Sequence, residues 1–181
     1  MTCIVATLDR INNRVVIGAD SIGIDGSFNK RVVLQSKLIK LNDFIIGFAG
    51  SFRVGDILRY CLELPPIEDE DIEKYLVTKF VPLLQSALED ANALSKDEDG
   101  QTVNPFLLAY KNRLFKIDGD FHVQENANGF ESIGVASEIA IGAIAALDKR
   151  KMTAEKKVLT ALEIACTFSA GVSKPFNLMS T

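Results

Sequence analysis

Two apolar, β-branched runs, TCIVATL at residues 2–8 and RVVIGA at 14–19, flank the polar turn DRINN. That spacing commits the start of the chain to an antiparallel hairpin, Thr2–Leu8 against Arg14–Ala19. The segment GIDGSFNK that follows is glycine-rich and turn-like, and VVLQSKLIKL alternates imperfectly, as an extended segment does. DFIIGFAGS then supplies an apolar run of the length of a buried strand, ending at Ala49-Gly50-Ser51. Four or more short strands are thus expected in the first 50 residues.

The period then changes. Val54, Ile57, Leu58, Cys61 and Leu62 recur at helical spacing and stop before Pro65-Pro66. Ile72, Tyr75, Leu76, Phe80, Leu83, Leu84 and Leu88 form a second helical face. Acidic residues lie at its start, where the helix dipole favours them, and Pro82 marks a kink or joint. SKDEDGQ reads as a solvated loop, and the acidic stretches 68–71 and 97–99 as a helix start and a loop rather than metal sites. PFLLAYKNRLFKIDGDFHVQE carries turn signals at Lys111-Asn112 and Asp118-Gly119, hence a three-stranded meander. SEIAIGAIAALDKRK and TAEKKVLTALEIACTFSAGV are two more helical patterns, the second with Thr153 as N-cap. Strands, helices, strands, helices in one chain predict a layered α+β domain spanning 1–181, two sheets face to face with helices outside.

Composition narrows the function classes. A 48% hydrophobic content provides a full core without disulfides or metal, and a net charge of −4 argues against a nucleic-acid partner. Cys3, Cys61 and Cys166 have no paired spacing, and the single histidine, His122, excludes a histidine-cluster metal site. No basic segment with a following apolar run opens the chain, and no stretch approaches the ~20 apolar residues of a membrane span. A cytoplasmic location, with no membrane partner, is the expectation.

P-loop, GxGxxG and GxSxG patterns are absent, and a Ser-His-Asp triad would depend on His122 in a predicted meander strand. What remains is a set in the first 50 residues: Thr2 at the head of a strand, Asp20 at the end of its partner, Lys37 entering a later strand and Gly50 closing a buried one. Taken singly, these read as a permissive start, a turn residue, a solvated lysine and a turn glycine. Together they hold the parts of a threonine nucleophile. An N-terminal threonine can use its own α-amine as base, with an unperturbed pKa near ~8. A lysine held by an aspartate keeps the local field positive, and a glycine-turn N–H can bind an oxyanion. Cys3 alternates to the opposite face from Thr2, as a core residue.

In TCIVATL…VVIGADS, SKLIKLNDFIIGFAGSFRVGDILRY, FLLAYKNRLFKIDG and IGVASEIAIGAIAALDKRKMTAEKKVLTALEIA, the chain resembles proteasome β-subunits and HslV-like peptidases of the N-terminal-nucleophile hydrolases. Each stretch is degenerate, but their order and spacing cover almost the whole chain. The resemblance implies a four-layer αββα sandwich and a threonine peptidase without cofactor. Thr2, freed by removal of Met1, would be the nucleophile, with Asp20 orienting Lys37 and Gly50 donating to the oxyanion. It further implies a polypeptide substrate, a homo-oligomeric ring and an ATP-dependent unfoldase as partner. Phe48 and Phe52 are expected beside the substrate. At the position where the family carries a serine, this chain has Val135, with Ser137 and Ser169 as candidate substitutes. A non-catalytic ring or assembly protein and an amidohydrolase acting on a small amide are the alternative readings.

Overall fold

In the computed structural model, residues 1–68, 70–97 and 100–181 are described. The opening hairpin is β1 (Cys3–Asp9) and β2 (Arg14–Asp20), in register Ile4↔Ala19 through Asp9↔Arg14. A short ribbon follows, β3 (Ile22–Ile24) and β4 (Lys30–Val32), around a turn in which Asp25 accepts the N–H groups of Ser27 and Asn29. β5 (Leu38–Leu41) and β6 (Phe44–Phe48) form the next hairpin. Helix α1 (Phe52–Tyr60) comes next, started by the Ser51 side chain, which accepts from Arg53 N–H.

The second helical face runs as α2 (Ile72–Tyr75), a π-helical segment (Leu76–Phe80) and α3 (Val81–Asp90). Pro82 therefore does not break the helix. The wide turn ahead of it, closed by Val81 N–H on the Leu76 carbonyl, accommodates a residue that has no N–H to donate. β7 (Ser95–Asp97) and β8 (Gly100–Thr102) pair as a ribbon where a solvated loop was expected. Asp69, Glu98 and Asp99 of the acidic stretches lie outside the described residues. The meander is β9 (Phe106–Tyr110), β10 (Arg113–Ile117) and β11 (Val123–Glu125). A further strand, β12 (Phe130–Gly134), precedes α4 (Ser137–Leu147) and α5 (Ala154–Phe168), and the Thr153 side chain caps α5 by accepting from Lys156 N–H. The last helix stops at Phe168 rather than at Val172, and the chain returns as β13 (Phe176–Ser180).

The strands assemble into one sheet in the order β12-β1-β2-β13 and another in the order β11-β10-β9-β6-β5. Strand alternation sorts their side chains into three apolar layers. Ile4, Ala6 and Ile17 of the first sheet meet Ile45, Leu107 and Leu114 of the second between the sheets. Cys3, Val5 and Val16 point the other way, onto Ala140, Val158 and Leu162 of α4 and α5. Phe44, Ile46 and Phe48 leave the second sheet outward, onto Leu58, Leu76 and Leu84 of the other helical layer. Helices, sheet, sheet and helices thus stack as the expected four-layer αββα sandwich. The double burial of β1, β2 and β6 follows from their place in the two middle layers.

Candidate active site

The site begins where β1 begins. Thr2 is buried, and its carbonyl accepts the N–H of Val135 at 2.8 Å, extending the β1–β12 ladder by one rung. Gly134 makes this approach feasible. Its φ is +100°, and a Cβ there would lie 2.1 Å from the Thr2 carbonyl oxygen. No side chain fits at that spot.

Asp20 ends β2 beside Thr2 and is fully withdrawn from solvent. Its Oδ1 accepts the Cys3 N–H at 2.8 Å, and its Oδ2 accepts the Ile22 N–H at 3.2 Å. Lys37, one residue ahead of β5 and 1% exposed, places Nζ 2.9 and 3.0 Å from the two carboxylate oxygens. The same Nζ donates to the Met1 carbonyl at 3.1 Å. A buried charge pair persists when its remaining donors and acceptors are satisfied, and among the described residues no buried side-chain nitrogen or oxygen lacks a partner. Burial holds the Lys37 ammonium below its ordinary pKa, opposed by Asp20. The α-amine at Met1 is likewise held down, first by burial and then by the Lys37 charge.

Gly50 follows β6 with φ +86°, and the Asn104 side chain packs directly against it. Gly50 and Thr2 line a common cavity of about 410 Å³ at the open end of the layer between the sheets. Met1, Ala49, Asn104, Pro105, Lys116, residues 132–135 and Ser137 complete its wall. The fold therefore gathers Thr2, Asp20, Lys37 and Gly50 in one place. Asn104, Gly134 and Lys116 carry no such signal in the sequence: Gly134 arrives through the long-range pairing Cys3↔Gly134, Lys116 through the local β9–β10 hairpin, and Asn104 from the link ahead of β9.

The remaining expected residues divide. Ser137, first in α4, lines the cavity. Ser169 does not; its hydroxyl accepts the Gly171 N–H at 3.3 Å, closing a turn that brings Gly171 against Val135 and the Met1 side chain. Phe48 is not beside the cavity. Alternation along β6 turns it outward, where its ring packs over Gly55 of α1, while its neighbour Ala49 faces the cavity. Phe52 stands edge-on to Phe48 and lines a separate depression with Gly23, Arg31 and Val33. Val135 is half exposed on the cavity wall, so the departure from serine falls at the site itself. Cys3 points into the helix-side core, and burial, with the Asp20 charge second, pushes its thiol up to about 12. It is protonated at neutral pH and is no rival nucleophile. His122 is exposed just ahead of β11, away from the cavity lining. Among the described residues, no group of three or more His, Cys, Asp or Glu is placed to hold a metal, and no helix is long and apolar enough to cross a membrane.

No protein-family model matches the chain, and no curated protein matches its sequence. Solved structures do match its fold. Thiobacillus denitrificans BPH is 20% identical with a TM-score of 0.79, over 100% of this chain and 97% of that one. The same protein in complex with epoxomicin is 20% identical at a TM-score of 0.78, over 98% and 97%. HslV from Trypanosoma brucei is 22% identical at a TM-score of 0.68, over 99% and 98%. The chain has the proteasome/HslV-like, N-terminal-nucleophile hydrolase fold.

Proposed function

We propose that this chain is a threonine peptidase whose nucleophile is Thr2, released by hydrolysis of the Met1–Thr2 peptide bond. One observation carries the reading: both peptide groups that flank Thr2 are tied to a single buried ion pair. The Met1 carbonyl accepts from Lys37, and the Cys3 N–H donates to Asp20. Once Met1 is gone, the new amine lies beside a fixed positive charge that lowers its pKa toward neutrality.

In the proposed reaction the Thr2 amine takes the hydroxyl proton as Oγ bonds to a substrate carbonyl carbon. The negative charge moves to the carbonyl oxygen, which receives the Gly50 N–H. Collapse of the adduct breaks the C–N bond, and the Thr2 ammonium returns its proton to the leaving amine. An ester on Thr2 remains. Water, deprotonated by the same amine, then releases the acid and restores the hydroxyl. Lys37 stays protonated throughout and acts by its field. A polypeptide substrate, a ring of identical chains and an ATP-dependent unfoldase are part of this proposal.

Intact mass of the native protein, before and after an epoxyketone probe, tests it. Loss of one methionine and a single adduct on Thr2, absent in Thr2→Ala, are expected. Retained Met1 with no adduct would overturn the peptidase reading. It would leave the second one, a non-catalytic ring protein, which Val135 favours by placing hydrocarbon on the cavity wall where a hydrogen-bonding serine was expected. Turnover of small amides beside peptides separates a small-amide hydrolase.

A further inference from the structure

The wall of the Thr2 cavity is unbalanced in charge. Among the described residues that line it, Lys116 is the one charged side chain, and no carboxylate-bearing residue is on the lining. This occurs in a chain with a net charge of −4, so the cavity stands apart from the protein's overall field. We infer that Lys116 reads an acidic side chain of the substrate, making the cavity selective for acidic peptides; this rests on the peptidase reading above.

The placement of Lys116 follows from its strand. It pairs with Leu107 across β9 and β10, and opposite residues of an antiparallel pair share a face. Leu107 lies in the layer between the sheets. Lys116 continues that face to the open end, where its side chain lines the cavity. In the free protein Nζ is 2.8 Å from Asp118, both side chains being partly exposed at 25% and 29%. A pair so wetted is weak and easily exchanged. Asp118 also accepts from Gln124, so it keeps a partner when Lys116 turns to a substrate carboxylate. Asn104 and Ser137 contribute neutral hydrogen-bonding groups to the same wall. A lysine or arginine side chain in this cavity would meet like charge at Lys116 and no carboxylate on the lining itself, the nearest being Asp118, already engaged by Lys116 and Gln124.

The test uses peptide substrates differing only in Glu, Gln or Lys at the residues flanking the scissile bond. In parallel, calorimetry follows binding of the matching product peptides to Thr2→Ala. Wild type is expected to favour Glu over Gln about fivefold, a charge-assisted hydrogen bond discounted for partial exposure. Lys116→Glu should reverse the order, Lys116→Arg should keep it, and Asp118→Asn should sharpen it. Equal cleavage of the three peptides, or an order untouched by Lys116→Glu, overturns the inference and leaves the peptidase intact. Charge-selective binding that depends on Lys116, without any turnover, upholds the acidic subsite and overturns the peptidase. Binding without charge preference overturns the subsite whatever the turnover.

Discussion

Lys37 Nζ spans both oxygens of the Asp20 carboxylate, at 2.9 and 3.0 Å, with neither side chain more than 1% exposed. A pair this deep does not stabilise the fold cheaply, because hydrophobic residues of similar volume would pack there at less cost in desolvation. Its position explains its presence better than its energy does. It grips the chain on either side of Thr2 and fixes a positive charge there.

The first prediction concerns that pair. Lys37→Met or Asp20→Asn leaves a buried partner uncompensated, and each single change should cost about 3–5 kcal/mol of unfolding free energy. The double variant, with neither charge, should cost clearly less than the sum, since coupled sites are non-additive. Urea titrations of the four proteins measure this. Additive losses would mean that the two charges do not hold one another.

Gly134→Ala and Gly142→Ala should act in opposite directions. At Gly134 the backbone is left-handed, and the new methyl collides with the Thr2 carbonyl, so the start of β1 must shift. A loss of about 3 kcal/mol or more is expected, together with loss of probe labelling at Thr2. Gly142 is mid-helix in α4 with nothing within 4 Å of its added Cβ. Alanine there should stabilise by about 1 kcal/mol through helix propensity. Thermal melts of both variants decide it.

How much of this was visible beforehand depends on local patterning. Thr2, Asp20, Lys37 and Gly50 sit at the ends of strongly apolar runs, so strand boundaries located them, and the four layers followed from the order of blocks. β12 was missed because Glu131 and Ser132 interrupt its apolar residues, and β13 because it is a half-exposed edge strand without alternation. Which of Phe48 and Ala49 faces the cavity is not legible in the sequence, because FIIGFAG is apolar on both faces and carries no parity signal. Gly134 reaches the cavity through the long-range pairing Cys3↔Gly134 and Lys116 through Lys116↔Leu107 within the local meander, while Asn104 lies in the link ahead of β9.

Gly50→Ala should strain the second edge of the cavity. Its φ of +86° disfavours any Cβ, and the nearest obstacle is the Asn104 amide at 2.2 Å. That amide ends a short side chain, so Asn104→Ala should relieve the collision while the backbone strain, about 1–2 kcal/mol, persists. The double variant is therefore expected to fall between Gly50→Ala and wild type in melting temperature. Rescue to the full wild-type value would show that the backbone conformation at Gly50 costs nothing.

Cys3 gives the fold an alkaline weakness. Its thiol is raised from 9.0 to about 12 by burial, with the Asp20 charge adding to it. Above about pH 9 the unfolded chain loses the thiol proton while the folded chain keeps it. The unfolded state then binds fewer protons, so stability is intact below that pH and declines up to about 12. Other groups titrate in this range, so the informative quantity is the difference between wild type and Cys3→Ala. That difference should be flat from pH 6 to 8 and then shift in favour of Cys3→Ala, by up to ~1.4 kcal/mol per pH unit. Iodoacetamide at pH 8 gives an independent reading. Exposed Cys61 should be alkylated in the folded protein while Cys3 is spared until denaturant is added. Alkylation of Cys3 in the native state at the rate of Cys61 would show that the β1 start opens readily, against the fixed geometry on which the Thr2 site depends.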